Sequence, residues 1–127
     1  MALQYSVTVR NAQLDAVETT VGTAPLLRIY SGSAPANCAA AASGTLLAEA
    51  TLPSDWMAAA SSGSKALSGT WQDASANATG TAGHWRLYDS GGTTCHAQGT
   101  VTATGGGGDM TLDNTSIASA QSVTITS

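Results

Sequence analysis

The most constraining feature of this sequence is an unbroken alternation of residue types over eleven positions, from Thr94 to Thr104. Small or apolar residues occupy every second position, and Thr, His or Gln occupy the positions between them. Successive side chains of a β-strand point to opposite faces. The pattern therefore predicts a long strand with one face on a core and the other in water.

A second run, His84 to Tyr88, precedes this strand and is separated from it by a Gly-rich polar segment. A five-residue loop over 89–93 would pair Leu87 with Cys95 and bring the apolar faces of both strands together. We therefore predict a hairpin in which Cys95 lies on the inner, core-facing side.

The rest of the chain predicts further short strands and one helix. The additional strands, each bounded by Gly, Pro or Ser, are 26–30, 45–51, 65–71, 110–112 and 123–125. Apolar residues recur at helical spacing from Val9 to Val21, with Thr8 as a candidate N-cap and Gly22 as the stop. The predicted fold is mainly β: an antiparallel β-sandwich, the jelly roll being one form of it, of about seven or eight strands with one short N-terminal helix.

The composition favours closely packed strands over disorder. Of the 127 residues, 71 are Ala, Thr, Ser or Gly, and only 19 are Leu, Ile or Val. Charged residues make up 9% of the chain and the net charge is −4, so the high charge typical of disordered chains is missing. The length fits a single domain, 1–127, with an N-terminal arm and helix over 1–24 and strands over 25–127.

The charge and hydropathy patterns exclude several classes of function. Four basic residues in an acidic chain cannot build the positive surface that nucleic-acid binding requires. No apolar run reaches the roughly 18 residues of a membrane-spanning helix, and the first residues lack the basic and apolar regions of a secretory signal. We expect a protein made in a cytoplasm, with no nucleic-acid partner and no membrane partner.

The two cysteines, Cys38 and Cys95, leave two interpretations open. They are free thiols, as is usual in a reducing cytoplasm, or they form a disulfide once the protein meets oxidising conditions after cell lysis. In the chain-entropy model such a bridge would contribute about 4 kcal/mol to stability.

No constellation of residues predicts catalysis, a cofactor or a metal site. The sequence contains neither Gly-x-Ser-x-Gly nor His-Glu-x-x-His. His84 and His96 are expected on the outward face of the hairpin, with Arg86 between them, as surface polar residues. Asp109 and Asp113 offer too few oxygens for calcium. We therefore predict no enzyme activity, no catalytic residues and no cofactor.

Most of the three Trp and three Tyr residues are expected in the core. Two are candidates for exposed aromatic contacts: Trp56, which lies in a Pro-Ser-Asp-Trp-Met segment, and Tyr88, which lies beside the hairpin turn. Exposed in a groove, they would suit a receptor- or glycan-binding module.

Six segments together carry a family resemblance. They are LLRIYSG at 26–32, LPSDWMA at 52–58, GTWQD at 69–73, GTAGHWRLYD at 80–89, CHAQG at 95–99 and GDMTLDNTSI at 108–117. In this order and spacing they resemble a family of small virion-associated proteins encoded by tailed bacteriophages. The resemblance covers roughly residues 9–127, and it implies a component of the particle without specifying its position there.

Within a particle, a small acidic β protein suits the outer surface of the head, since negative charge disfavours a position facing DNA. We therefore expect a capsid decoration or cement protein that contacts the major capsid protein or other virion proteins and forms a homo-oligomer. The N-terminal segment is the part expected to reach a neighbour. A neck, collar, tail or fibre-associated protein, and a receptor- or glycan-binding module, are the alternatives.

Overall fold

In the computed structural model, which describes residues 2–125, the chain forms one helix and eight strands. The helix, α1, spans Val7–Val21. The strands are β1 Leu26–Ser31, β2 Leu46–Thr51, β3 Trp71–Asp73, β4 Gly80–Tyr88, β5 Cys95–Ala103, β6 Met110–Leu112, β7 Ser116–Ile117 and β8 Val123–Ile125. The described chain is thus mainly β with one short helix, as the sequence predicts.

Six of the strands form one sheet that curls into a half-barrel. The strand order is β2-β1-β4-β5-β6, and β7 pairs with the beginning of β4. The remaining strands, β3 and β8, pair with each other. The long strands β1 and β4 each have neighbours on both sides, so the residues that they carry on either face are the ones most readily buried.

One pairing departs from the predicted antiparallel fold, because β5 and β6 run parallel, with Val101 opposite Met110. The connection between them, 104–109, contains four consecutive glycines, of which Gly105 and Gly107 have φ values of 89° and 78°. Glycine adopts this left-handed region without a Cβ clash, which allows so short a segment to return alongside β5. The sheet is therefore mixed, and the sandwich or jelly-roll arrangement stays a prediction.

Helix α1 begins two residues before the predicted start. Ser6 is the N-cap instead of Thr8, because the Ser6 Oγ accepts a hydrogen bond from the Val9 N–H at 3.2 Å. The predicted stop is confirmed. Gly22 has a φ of 90°, and its N–H donates to the Glu18 carbonyl at 2.9 Å.

The connection between β4 and β5 is one residue longer than predicted. Asp89 Oδ1 accepts hydrogen bonds from the N–H groups of Thr93 and Thr94 at 2.9 and 3.3 Å. These bonds hold the pKa of Asp89 below its ordinary value of 3.8. A carboxylate that bonds to the backbone four and five residues later shapes a six-residue turn over 89–94.

The longer turn changes the register of the hairpin. Leu87 pairs with Ala97 instead of with Cys95, and an irregularity next to Tyr88 places Cys95 opposite that residue. Leu87 and Ala97 keep their predicted positions toward the core. The predicted inward position of Cys95 is wrong, because the irregularity moves this side chain to the other face of the sheet, beside Tyr88.

The concave side of the sheet carries two adjacent hydrophobic clusters. One includes Ile29, Leu47, Val101 and Ile117, and the other includes Leu27, Trp56, Trp71 and Leu87. Trp85, Met110 and Ile125 pack against both clusters and join them. The strand predicted over 65–71 is not formed. Gly69, with a φ of 71°, turns the chain just before β3, and the segment makes only an isolated bridge between Leu67 and Met57.

Candidate functional site

Trp56, predicted to be exposed, is buried and only 2% of its surface is accessible. Its indole N–H donates to the Gly22 carbonyl at 2.9 Å, and its ring packs against Trp71 with centroids 5.8 Å apart. A buried indole needs an acceptor, and the end of α1 supplies one. Trp56 therefore connects the helix terminus to the core and offers no exposed contact.

Tyr88, the other predicted exposed aromatic residue, is also buried. Its ring lies 4.6 Å from the Arg28 guanidinium and 5.4 Å from that of Arg86. Burial, followed by a hydrogen bond with Tyr30, raises the pKa of the Tyr88 phenol. Tyr88 directly precedes the turn, but its ring lies between two guanidinium groups and under a loop. Because Trp56 is buried as well, both predicted exposed aromatic contacts are wrong.

The exposed apolar surface lies elsewhere, at the N-terminus. Five large hydrophobic side chains in the described chain are 42% to 80% exposed: Leu3, Tyr5, Val7, Val9 and Val17. We call these five residues the N-terminal apolar surface. Leu3 and Tyr5 lie in the arm before α1, and Val7, Val9 and Val17 lie on the helix, where Val17 is next to the sheet. Every large hydrophobic residue identified as exposed in residues 2–125 belongs to this group. Single exposed apolar residues are common on proteins, but a set confined to one segment indicates a contact surface.

Polar contacts hold α1 on the body of the protein. Lys65, whose side chain is only 3% exposed, places its Nζ 2.6 Å from Asp15 Oδ1 and 2.8 Å from Glu18 Oε2. Asp15 Oδ1 also accepts a hydrogen bond from the Ala60 N–H at 3.0 Å, and Asn11 Oδ1 accepts one from the Gly63 N–H at 2.9 Å. Three helical side chains one turn apart thus contact the 60–65 segment.

The charges of Lys65, Asp15 and Glu18, here called the polar anchor, stabilise one another. The hydrogen bond from Lys65 lowers the pKa of Asp15, and the hydrogen bonds to Asp15 and Glu18 raise the pKa of Lys65. Val21 is the one helical residue that is fully buried. Apart from Val21 at its end, the helix is attached mainly by polar contacts, so that Val7 and Val9 remain exposed.

The convex side of the sheet is polar but buried. Its residues Tyr30, His84, Arg86 and Tyr88, here called the polar face, are all inaccessible to solvent. Residues 32–45, here called the covering loop, connect β1 to β2 and lie across this face. The expectation that His84 and Arg86 are surface residues is therefore wrong, because the covering loop excludes water from them.

Backbone carbonyls of the covering loop meet some of these buried polar atoms, whereas His84 Nε2 and Arg86 Nε have no hydrogen-bond partner among the described residues. The Arg86 Nη2 donates to the carbonyls of Cys38 and Ala40, both at 2.9 Å. The Gly32 carbonyl lies 2.8 Å from His84 Nδ1. The sequence signal for the burial of His84 and Arg86 is the Ala-rich composition of the covering loop. A segment without charged side chains can lie on a protein surface and present its carbonyls inward.

The two cysteines meet at the edge of the covering loop. The irregularity in β5 that turns Cys95 toward the polar face brings it beside Cys38. Both thiols are free and partly buried. Burial, and then the hydrogen bond with the Cys95 side chain, raise the pKa of Cys38 to about 11. The predicted pair is therefore brought together, while the disulfide itself stays a prediction.

A cavity of about 380 Å³ lies between α1 and the concave side of the sheet. Its lining is mostly apolar and includes Val17, Trp71, Trp85 and Met110, with Asp109 at one side. Hydrogen bonds from Thr100 lower the pKa of Asp109, so this carboxylate is bound to its neighbouring strand. Within residues 2–125, no three His, Cys, Asp or Glu side chains come together as a metal site.

Comparisons of the chain with protein-family models, with curated proteins and with solved structures find no match. None of the helical segments in the described residues has the length and apolar character needed to cross a membrane.

Proposed function

We propose that this protein is a structural component of a tailed-phage particle, a capsid decoration or cement protein that binds the major capsid protein on the outer head surface. The observation that carries the proposal is the N-terminal apolar surface, since the exposed large hydrophobic residues identified in residues 2–125 all lie between Leu3 and Val17. The family resemblance of the sequence supplies the kind of particle. Neither a catalytic constellation nor a ligand is needed for this role.

The way in which α1 is attached supports a docking role. Lys65 fixes the inner side of the helix through Asp15 and Glu18, while Val7 and Val9 remain exposed. The helical part of the surface is therefore held in place before binding and loses little conformational entropy on docking. In a lattice, many weak copies of such a contact add up through avidity, which suits a homo-oligomeric cement protein.

The alternatives are affected differently by the burial of the predicted aromatic contacts. A receptor- or glycan-binding module loses its argument, because Trp56 and Tyr88 are both buried. A neck, collar or tail position uses the same N-terminal apolar surface with fewer copies, so it remains the second candidate. The antiparallel β-sandwich predicted from the sequence belongs to the same proposal, and an experimental structure of the assembled protein tests it.

Copy number separates the two positions. Quantitative mass spectrometry of purified virions, with this protein measured against the major capsid protein, is expected to give hundreds of copies per particle. A count that matches one or a few rings would move the protein to the neck or tail. Its absence from purified particles would overturn the structural role altogether.

Variants of the docking surface test the mechanism. The triple variant Leu3→Ser, Tyr5→Ser, Val9→Ser is expected to bind particles that lack the protein on the order of 100-fold more weakly, because truncated anchor residues dominate interface energy. The melting temperature should hardly change, since all three side chains are exposed. The matched control is Ala103→Ser with Ala118→Ser, two exposed positions outside the surface. Equal binding by the triple variant and the control would contradict this docking surface.

A further inference from the structure

Cys38 and Cys95 are 57 positions apart in the sequence, yet the covering loop brings them together. Arg86 on β4 holds the Cys38 carbonyl at 2.9 Å, and Cys95 lies opposite Tyr88 on the adjacent β5, where its Sγ donates to the Ala97 carbonyl at 3.3 Å. The two thiols are close enough to influence each other's ionisation, since, after burial, the Cys95 side chain contributes to the raised pKa of Cys38. We propose that these two residues are a site of reversible covalent modification, at which a small-molecule disulfide such as oxidised glutathione converts the neighbouring thiols into an intramolecular disulfide. The bond fastens the covering loop to the sheet. This inference is independent of the proposed function.

Contacts on both sides of Cys38 fix its position over the sheet. Arg86 on β4 donates to the carbonyls of Cys38 and Ala40, and Gln98 on β5 donates from Nε2 to the Pro35 carbonyl at 2.7 Å. The covering loop is therefore attached to two adjacent strands on either side of the cysteine. A thiol held in this way stays close to its partner without any movement of the loop.

The partner is placed by the register of the hairpin. The irregularity between Leu87 and Tyr88 shifts the β5 pairing so that Cys95 lies opposite Tyr88. In a regular hairpin with the predicted register, Cys95 would lie opposite Leu87 and point into the hydrophobic core. The six-residue turn is thus the feature that makes the bond possible, because it directs Cys95 to the face that the covering loop crosses.

The reaction is two consecutive thiol–disulfide exchanges. The thiolate of one cysteine attacks a sulfur of oxidised glutathione, a protein–glutathione disulfide forms, and one glutathione leaves as a thiolate that takes up a proton. The second cysteine loses its proton and attacks the protein sulfur of that mixed disulfide, which releases the second glutathione. The two protein thiols are oxidised, one glutathione disulfide is reduced to two thiols, and two protons pass from protein to glutathione.

The redox potential of the surroundings determines whether the pair is reduced or oxidised, and the burial of Cys38 affects how fast it changes. Burial of Cys38 keeps its thiol protonated at neutral pH, which slows attack and modification while the surroundings are reducing. After release into an oxidising medium, proximity drives the second exchange. Formation is therefore slow at neutral pH and faster in alkaline solution, where the thiolate population is larger.

The first experiment identifies the bond. The reduced full-length protein is incubated with oxidised glutathione at about pH 8, and the expected product is a monomer that has lost two hydrogen atoms. Trypsin without reductant then yields peptides 29–65 and 87–127 joined to each other, since cleavage follows Arg28, Lys65 and Arg86. The single variants Cys38→Ser and Cys95→Ser are expected to stop at the glutathione adduct. A wild-type protein that also stops there, or that forms only dimers, would overturn the proposal.

A second measurement shows whether the native fold favours the bond. The equilibrium between the dithiol and disulfide forms is measured in glutathione buffers for the folded protein and for the same protein in urea. The native fold is expected to favour the disulfide by on the order of 100-fold or more over the unfolded chain. The oxidised protein should then melt at a temperature roughly 10 °C higher. An equal or smaller preference in the folded protein would mean that the fold holds the sulfurs apart, which contradicts the inference.

Discussion

The helix α1 and the covering loop solve the same problem, the attachment of a segment to a sheet, in opposite ways. The helix is held through Lys65, Asp15 and Glu18, so that Val7, Val9 and Val17 remain exposed while Val21 is buried at its end. The covering loop has no charged side chains, and it turns its backbone carbonyls toward the buried Arg86.

This difference determines what each region can do. A helix held by ion pairs at one side keeps its other side available for a partner, and its attachment responds to charge and pH. A loop whose carbonyls accept hydrogen bonds from a buried guanidinium keeps the polar face buried, and its attachment responds to the loss of that one side chain. The first region is suited to docking, and the second is suited to holding Cys38 beside Cys95.

Removal of Arg86 is expected to have the largest effect on stability. Arg86→Ala leaves a large cavity in the polar face and deprives the carbonyls of Cys38 and Ala40 of their donor. We expect the free energy of unfolding in urea to fall by about 3 kcal/mol or more. Hydrogen exchange should show that the Ala40 and Thr45 amides, which donate hydrogen bonds from the covering loop, lose protection, whereas those of α1 change only through the global loss.

Arg28→Ala is the matched control for this variant. Arg28 keeps some contact with water, and its Nε lies 2.6 Å from Glu49 Oε2 while its Nη1 donates to the Gly92 carbonyl at 3.3 Å. Its loss is expected to cost about 1–2 kcal/mol, less than the loss of the fully buried Arg86. Equal destabilisation by the two variants would contradict the importance of the buried guanidinium for attaching the covering loop.

The second effect, of intermediate size, concerns Lys65. Lys65→Met keeps a side chain of similar length but removes the positive charge that forms ion pairs with both Asp15 and Glu18. We expect a loss of about 1–2 kcal/mol, since both carboxylates keep some contact with water. The control is Arg10→Met, an exposed charge near Gly63 whose removal should have little effect. If α1 amides kept full protection in Lys65→Met, the polar anchor would not be what holds the helix.

The sequence predicts local elements well because their signals are local. Gly22 ends α1 as expected, and the alternation from Thr94 predicts β5 nearly to the residue. The burial of His84 and Trp56 depends on segments far away in the chain, the covering loop for the first residue and the end of α1 for the second. A pattern with a period of two describes which residues share a face, but it does not say which long-range segment covers that face.

The position of Cys95 illustrates the same limit at the level of one residue. Its place in the alternating run assigns it to the core, and one additional residue in the turn reverses that assignment. The cause is the Asp89 carboxylate, which accepts hydrogen bonds from Thr93 and Thr94. Matching the apolar faces of the two strands predicts a turn of five residues. The hydrogen bonds of the Asp89 side chain favour a turn of six residues instead.

The smallest expected effect is a difference between α1 and the covering loop in how their stability responds to acid. The pKa of Asp15 lies below its ordinary value of 3.8 in the folded protein, so its contribution is present above pH 3.8 and is lost as the pH falls through the folded value. The pKa of Lys65 is raised, so this residue stays charged throughout the acidic range. The covering loop contains no carboxylate and is not expected to respond in this window.

Amide protection factors measured between about pH 5 and pH 3 should therefore fall in α1 before they fall in the covering loop, since protonation of Asp15 weakens only the helix anchor. Asp89 and Asp109 also have lowered pKa values, so the stability of the whole protein falls as the pH falls. The informative quantity is therefore the difference in protection between α1 and the covering loop. In Asp15→Asn, α1 should be less protected already at pH 5 and should lose less on acidification. A variant in which α1 still loses protection as steeply as in the wild type would assign the acid response to another carboxylate.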